Sequence, residues 1–475
     1  MRIIPKLGYN TLKYFSTVFA DFMISDHLIN KYNIQAPRYT SYPTALKFEE
    51  LQDSSYPGRA ISNRNREARD ISLYLHLPFC YSLCWFCGCT KVISRKQESS
   101  ATYLEYLDKE IQLILPQMNP ENRVIQVHLG GGSPTFLQPS ELRWLGTRLH
   151  HHFNIADKAE MGVEIDPRRL THDHIKALAD TGFNRGSLGV QDVNPEVQKA
   201  INRIQPTEQV EQVISWLREE EFESVNFDLI YGLPHQTPKS IDSTMDEIIR
   251  LNPDRLAVYS YAHVPWMKPA QKLLDGDHLP GPIDKFRMLE QVTGKLTGNG
   301  YRAIGMDHFA KPDDELSIAQ DQNNLHRNFQ GYSTWANVDL YAFGMSGISQ
   351  VGDVYLQNIK ELNDYYEALD ADQSPYIKTY SLNEDDRIRR TVIMTLMCDM
   401  QLDFDALSDQ TGVAFREYFA DEIENLKPFE SDGFLEWTVN GFKLTNDGRF
   451  FVRNVATTFD AYFGEKKEKQ FSKSV

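Results

Sequence analysis

The chain has 475 residues, 41% hydrophobic and 24% charged, with 27 Gly and 22 Pro; this excludes a collagen-like, disordered or low-complexity chain and implies one large globular catalytic domain with accessories. The formal charge of −16 argues against a general affinity for nucleic acid, because phosphate binding needs clustered Lys and Arg, so an anionic substrate requires a local basic pocket. No run approaches the roughly 18 apolar residues that span a bilayer, so membrane insertion is not expected.

Residues 1–22 carry Arg2, Lys6 and Lys13 and no acid before Asp21, yet polar residues interrupt the apolar core that a secretory signal needs. They read as an extension, with Met23 an alternative start and a transit peptide the competing reading. Four of the five cysteines (Cys80, Cys84, Cys87, Cys89) fall within ten residues, a spacing no secreted disulfide framework requires, and a cytoplasmic protein is expected. Residues 1–60 are taken as an N-terminal extension and active-site cover, 61–350 as the catalytic barrel with substrate-site elements, and 351–475 as a C-terminal helical domain with a β-hairpin.

From residue 71 onward, short β-prone runs alternate with helical patterns. The runs are 72–77, 124–129, 161–165, 185–190, 224–230 and 255–261, with 301–306 a further strand. Leu104, Leu107, Ile111 and Ile114 share one helix face, and Pro116 ends the pattern. Thr237-Pro238 and Thr171 read as helix starts, and Gly182 as a stop. Six strands with helix-length connections predict right-handed βαβ units and a parallel sheet, an α/β partial (β/α)6 barrel rather than a closed eight-fold one. After about residue 380 come helices, then 434–439 and 442–445 joined by Asn440-Gly441, a two-residue hairpin signal, and a last helix over roughly 449–463. The arrangement is winged-helix-like but lacks the basic residues for nucleic acid, and the tail is expected to fray.

In parallel barrels, reactive groups sit where strands end. Strand one runs into the cysteine loop and strand two into Gly130-Gly131-Gly132-Ser133-Pro134; strand three presents Glu164 and Asp166-Pro167-Arg168. Strand four ends at Gln191-Asp192, strand five carries Asp228, and strand six runs into Tyr261-Ala262-His263. Cys80-x3-Cys84-x2-Cys87 supplies three thiolates on one short loop, suited to a 4Fe-4S cluster with one iron left open to a ligand chelating through amine and carboxylate. Zinc on all four thiols is the alternative, although structural zinc usually joins separated Cys pairs. Gly131 and Gly132 allow close backbone approach, Glu164 or Asp228 can accept from ribose hydroxyls or an ammonium, and Arg203 can pair with a carboxylate. Cys398, in an apolar helical run, reads as core.

The cysteine spacing, with Phe86 before the last ligand, resembles the radical S-adenosylmethionine (SAM) superfamily. Together with PRYTSYP (37–43), GGGSPT (130–135), GVQD (189–192), DLIYGLP (228–234), GMDHFA (305–310) and HRNFQGY (326–332), the chain resembles the oxygen-independent coproporphyrinogen III oxidases over nearly its whole length. The resemblance implies oxidative decarboxylation of two propionates of coproporphyrinogen III to the vinyl groups of protoporphyrinogen IX in heme biosynthesis, started by a 5′-deoxyadenosyl radical from SAM. It implies Cys80, Cys84 and Cys87 as cluster ligands and Tyr74, Phe86, Gly131, Gly132, Ser133, Glu164, Gln191, Arg203, Asp228, Ala262 and Ile348 as contacts to one or two SAM molecules. Tyr74, His76 and Cys89 are the catalytic candidates, Cys89 setting the oxidases apart from related heme chaperones. Arg38, His308, His326 and Arg327 are candidate propionate donors. Ser133 stands where the family usually has Thr, retaining the hydroxyl. A flavodoxin- or ferredoxin-type electron donor and a monomer are also implied.

Overall fold

The computed structural model describes residues 24–336, 338–464 and 471–474, so the expectations for residues 1–22 and for Met23 as an alternative start lie outside it. The six expected strands form as β1 (Asp70–Leu77), β2 (Arg123–Gly131), β3 (Asn154–Ile165), β4 (Arg185–Gln191), β5 (Ser224–Tyr231) and β6 (Arg255–Ser260), each parallel to the next. The helix signals hold: Thr237 caps 238–251 by accepting from Ser240 N, and Gly182, at φ +92°, follows the helix 172–179. Leu104, Leu107, Ile111 and Ile114 of the helix 98–114 are all buried under β1, in one core with Ile71, Leu73, Leu75 and Leu77. The alternate β1 residues Tyr74 and His76 lie opposite His128 and Gly130 of β2, so strand period two puts apolar residues beneath the helices and polar ones inside the barrel.

The seventh expected strand, β7 (Arg302–Gly305), forms but adds no further βα unit: it pairs antiparallel with β8 (His308–Ala310), which pairs antiparallel with β6. A seventh parallel strand comes instead from β9 (Asp339–Phe343), against β1. Beyond it run the antiparallel strands β10 (Ile348–Val351), β11 (Val354–Asn358) and β12 (Tyr376–Ser381), with residues 49–50 at the edge of a 13-stranded sheet. The main sheet therefore continues past residue 350. Among the described residues the two edges do not pair, and the barrel stays open.

The helix 384–399, capped by Asn383, packs Val392 and Leu396 into a second core with Phe404, Phe415 and Val455. The expected hairpin is three-stranded: β13 (Gln401–Asp403) pairs with β15 (Gly441–Leu444), which pairs with β14 (Leu435–Trp437). Thr438 N donates to Gly441 O at 2.8 Å and Trp437 lies opposite Phe442, so the two-residue loop is Val439-Asn440, one position earlier than expected, and with no positive φ it is not of the primed type. Glycine is needed at 441 because a Cβ there would stand 1.9 Å from Leu402 O of β13. The last helix is short, a 3-10 turn over 448–451 followed by 452–457. Residues 471–474 do not fray: Ala36 N donates to Ser472 O at 3.2 Å, Ser474 N donates to Ile34 O at 2.7 Å, and Gln35 bridges Lys473. The N-terminal segment packs on the C-terminal part, Tyr32 against Phe434 and Phe451.

Candidate active site

The loop after β1 carries the four thiols, all free. Cys84 is buried, and its Sγ accepts from Arg168 Nη2 and Arg203 Nη1, each at 3.5 Å. Burial alone would raise the Asp166 carboxyl, but Arg203 and Arg168 hold it well below the usual carboxylate range, so both guanidiniums are anchored against Cys84. A hydrogen bond from Cys89, opposed by burial and aided by Lys91, pulls the Cys87 thiol down to about 6, and the same contact pushes Cys89 up. Three soft thiolates on one short loop suit a cluster that spreads them over several irons, whereas structural zinc usually joins separated Cys pairs.

The glycine turn at the end of β2 packs directly on this loop. Gly131 has φ +112°, and a Cβ on Gly132 would lie 2.3 Å from Pro78 O. Gly131 N donates to Glu164 Oε2 at 3.1 Å, and His128 Nε2 lies 3.4 Å from Glu164 Oε1. Burial raises the Glu164 carboxyl, but these hydrogen bonds and the His128 charge outweigh it and leave it below its ordinary value. Asp228 goes the other way, up to about 6, through burial first and Glu164 second. Two carboxylates in one cavity thus have their proton affinities pushed apart. The Glu164 side chain keeps 41% of its surface open because it faces a cavity of about 160 Å³ inside the barrel, shared with His128, Asp228, Tyr259, His308 and Tyr332. Tyr74 OH lies 3.1 Å from His76 Nδ1, and His76 Nε2 lies 3.0 Å from Thr90 O. A carbonyl only accepts, so Nε2 carries the proton and the Tyr74 hydroxyl donates to Nδ1. Burial lowers His76, favouring the neutral ring.

Of the other SAM candidates, Gln191 ends β4 at φ +67°, and Gln271 Nε2 ties Phe86 O (3.0 Å) to Ala262 O (3.1 Å). Ser133 Oγ is 3.2 Å from Thr135 Oγ1, and Arg203 Nε is buried without a hydrogen-bond partner. Ile348 lies on β10, two strands out from β1, packed with Phe48 and Tyr355.

The basic candidates partly converge. Arg38 Nη2 pairs with Asp307 Oδ2 at 2.6 Å, and His308 Nδ1 lies 2.9 Å from Asp307 Oδ1. Arg327 sits over the Tyr332 ring at 4.7 Å, with Nη1 buried and unpartnered. HRNFQGY forms a hairpin that pairs His326 with Ser333 and lines the barrel cavity through Asn328 and Gln330. Two further cations couple electrostatically to this group. Arg453 donates to Pro37 O at 3.0 Å and Lys473 O at 3.2 Å, and burial, with Arg38 nearby, lowers it to about 9. Lys285 donates to Tyr261 O at 3.2 Å and is lowered to about 8 by burial and Arg453. No motif or spacing marks either; only tertiary packing, including that of residues 34–38 and 471–474, brings them in.

Residues 74–248 match the Radical SAM superfamily and residues 382–451 the HemN C-terminal domain. Fold and site together define a radical SAM protein, a class that implies a 4Fe-4S cluster and SAM. The chain is 43% identical over 450 residues to the oxygen-independent coproporphyrinogen III oxidase of Pseudomonas aeruginosa, covering 94% of this chain and 98% of that protein. It is 42% identical over 449 residues to the Escherichia coli enzyme of the same name, with coverages of 94% and 98%. The solved coproporphyrinogen III oxidase (HemN) of Escherichia coli, described as a radical SAM enzyme, superposes with a TM-score of 0.87 at 42% identity, covering 92% of this chain and 99% of that one. The chain belongs to the oxygen-independent coproporphyrinogen III oxidase family.

Proposed function

We propose that this protein converts coproporphyrinogen III to protoporphyrinogen IX without oxygen, turning two propionates into vinyl groups in heme biosynthesis. The observation that carries this is the joining of a four-thiol loop, a polar barrel interior and a group of partly buried cations in a chain of net charge −16. When bound, the cluster and SAM supply a 5′-deoxyadenosyl radical able to remove hydrogen from the β-carbon of a propionate.

Cys80, Cys84 and Cys87 hold the cluster, with Arg168 and Arg203 favouring the thiolate of Cys84. Tyr74, Phe86, Gly131, Gly132, Ser133, Glu164, Gln191, Arg203, Asp228, Ala262 and Ile348 hold SAM, in one or two copies. Gly131 and Gly132 bring backbone close to it, Glu164 accepts from its polar hydrogens, and the unpaired Nε of Arg203 is available to its carboxylate. Arg38, Arg327, His308 and His326, joined by Arg453 and Lys285, bind propionates, with Arg327 and Arg453 the buried members of the set. The Tyr74 hydroxyl, donating to neutral His76, holds a proton at a defined atom beside Cys89. A flavodoxin- or ferredoxin-type donor, a monomeric state and a cytoplasmic location complete the proposal. Among the described residues no helix is long and apolar enough to cross a membrane.

The test is anaerobic reconstitution followed by incubation with coproporphyrinogen III, SAM and a reductant. Equal yields of 5′-deoxyadenosine and newly formed vinyl groups are expected. Tight heme binding with neither product would replace this function by heme carriage.

A further inference from the structure

We propose that His235, Asp275 and His278 form a binding site for a divalent transition-metal ion of the zinc class, clamping together two loops at the mouth of the barrel. His235 follows β5, whereas Asp275 and His278 lie in the loop after β6. One ligand atom from each lies within 4.8 Å of the other two. The two imidazole rings are 4.4 Å apart between centroids, and His278 Nδ1 is 2.8 Å from Asp275 Oδ2. Glu196 Oε1 stands 3.9 Å from His235 Nδ1, a second carboxylate within reach of the set. Two imidazoles with one or two carboxylates suit a borderline divalent ion such as zinc, and too few oxygens are present for calcium.

The backbone holds these groups in place. His235 N donates to His278 O at 3.0 Å, which joins the two loops directly. His235 itself has φ +67°, a left-handed conformation that is uncommon outside glycine. Leu233 and Leu274, next to the ligands on each loop, are buried in one apolar cluster. The side chains of His278 and Asp275 are about half exposed, so an ion reaches them from solvent and small rotations bring the donors to bonding distance. The same loop carries Gln271, whose amide holds Phe86 O and Ala262 O. An ion bound here therefore braces the support of the cysteine loop while using none of its ligands.

The experiment titrates the cluster-loaded protein anaerobically with Zn(II) alone, followed by calorimetry, metal analysis after desalting and the visible absorption of the cluster. One equivalent should bind in the micromolar range with cluster absorption intact, and H235Q/H278Q should weaken binding at least tenfold. The single variant H278Q, at an exposed position, gives the same direction if the double variant folds poorly. Zinc should also slow amide exchange over residues 264–281 in the parent protein and not in the variants. Equal zinc uptake by parent and variants, cluster bleaching in step with uptake, or unchanged exchange would each overturn the proposal. None of these readouts depends on the decarboxylation, so failure here and failure of the proposed activity are separable.

Discussion

Replacing Asp228 by Asn should make the protein more stable and a poorer binder of SAM. Asp228 accepts from Ser187 Oγ at 2.9 Å and Asn226 Nδ2 at 3.0 Å, and burial with the neighbouring Glu164 raises it to about 6. Asn keeps the shape: its Oδ1 still accepts from Asn226 Nδ2 and its Nδ2 donates to Ser187 Oγ, whose hydroxyl turns from donor to acceptor, so the change removes mainly the charge. Because the fold raises this pKa, the protonated form is the one the fold favours. The contribution of Asp228 to stability is complete below the ordinary carboxyl range and is lost as pH rises through about 6. A shift of about two units corresponds to roughly 3 kcal/mol, so D228N should gain about 3 kcal/mol near pH 8 and only about 1 kcal/mol near pH 4.5. Denaturant midpoints of parent and variant, measured at both pH values on the cluster-free chain, read this directly. Equilibrium dialysis of SAM on cluster-loaded protein reads the cost: a lost charge-assisted hydrogen bond of roughly 1.5–3 kcal/mol weakens binding about 10- to 150-fold. A variant no more stable at high pH than at low pH would refute the electrostatic argument, and unchanged SAM affinity would remove Asp228 from the site.

Alanine at Cys80, Cys84 or Cys87 should each abolish iron binding while Cys89→Ala retains it; iron and sulfide analysis after reconstitution checks this, and an intact cluster in any of the first three overturns the ligand set. Gly132→Ala puts a Cβ 2.3 Å from Pro78 O, against ordinary contacts beyond 3.4 Å, so the cysteine loop must move. The expected cost is about 1–3 kcal/mol with reduced cluster loading, measured by unfolding and by iron content. Asp307→Asn leaves the Arg38 guanidinium without its carboxylate partner in a buried setting and should destabilise by about 3–5 kcal/mol. Since Arg38 and His308 hold Asp307 below the usual carboxylate range despite burial, the parent should keep this contribution at neutral pH and lose it only in strong acid. Acid titration of the two proteins followed by circular dichroism compares them.

What sequence alone determined follows from local chemistry. Alternating apolar residues in Ile71–Leu77 and the helix face Leu104–Ile114 define strand and helix before any tertiary contact exists, and the spacing of three cysteines defines a soft ligand set on one loop. The ends of β1 to β6 read as candidate site positions in the sequence, because residues such as Gly131, Glu164 and Asp228 are costly choices there unless something uses them. Tertiary structure decided the rest. The parallel strand β9 and the antiparallel strands β10 to β12 carry no clear signal in the sequence because their short runs acquire meaning only by pairing with β1 and with one another. Asn440-Gly441 signalled a tight turn, yet the glycine serves the close approach of Leu402 on a strand the local pattern does not reveal. Arg453 and Lys285 carry no spacing signal, because a basic pocket is a property of burial and distance. With a charge of −16 an anionic substrate needs a local basic pocket; only the folding of residues 34–38 and of the chain end against Arg453 brings candidate cations together.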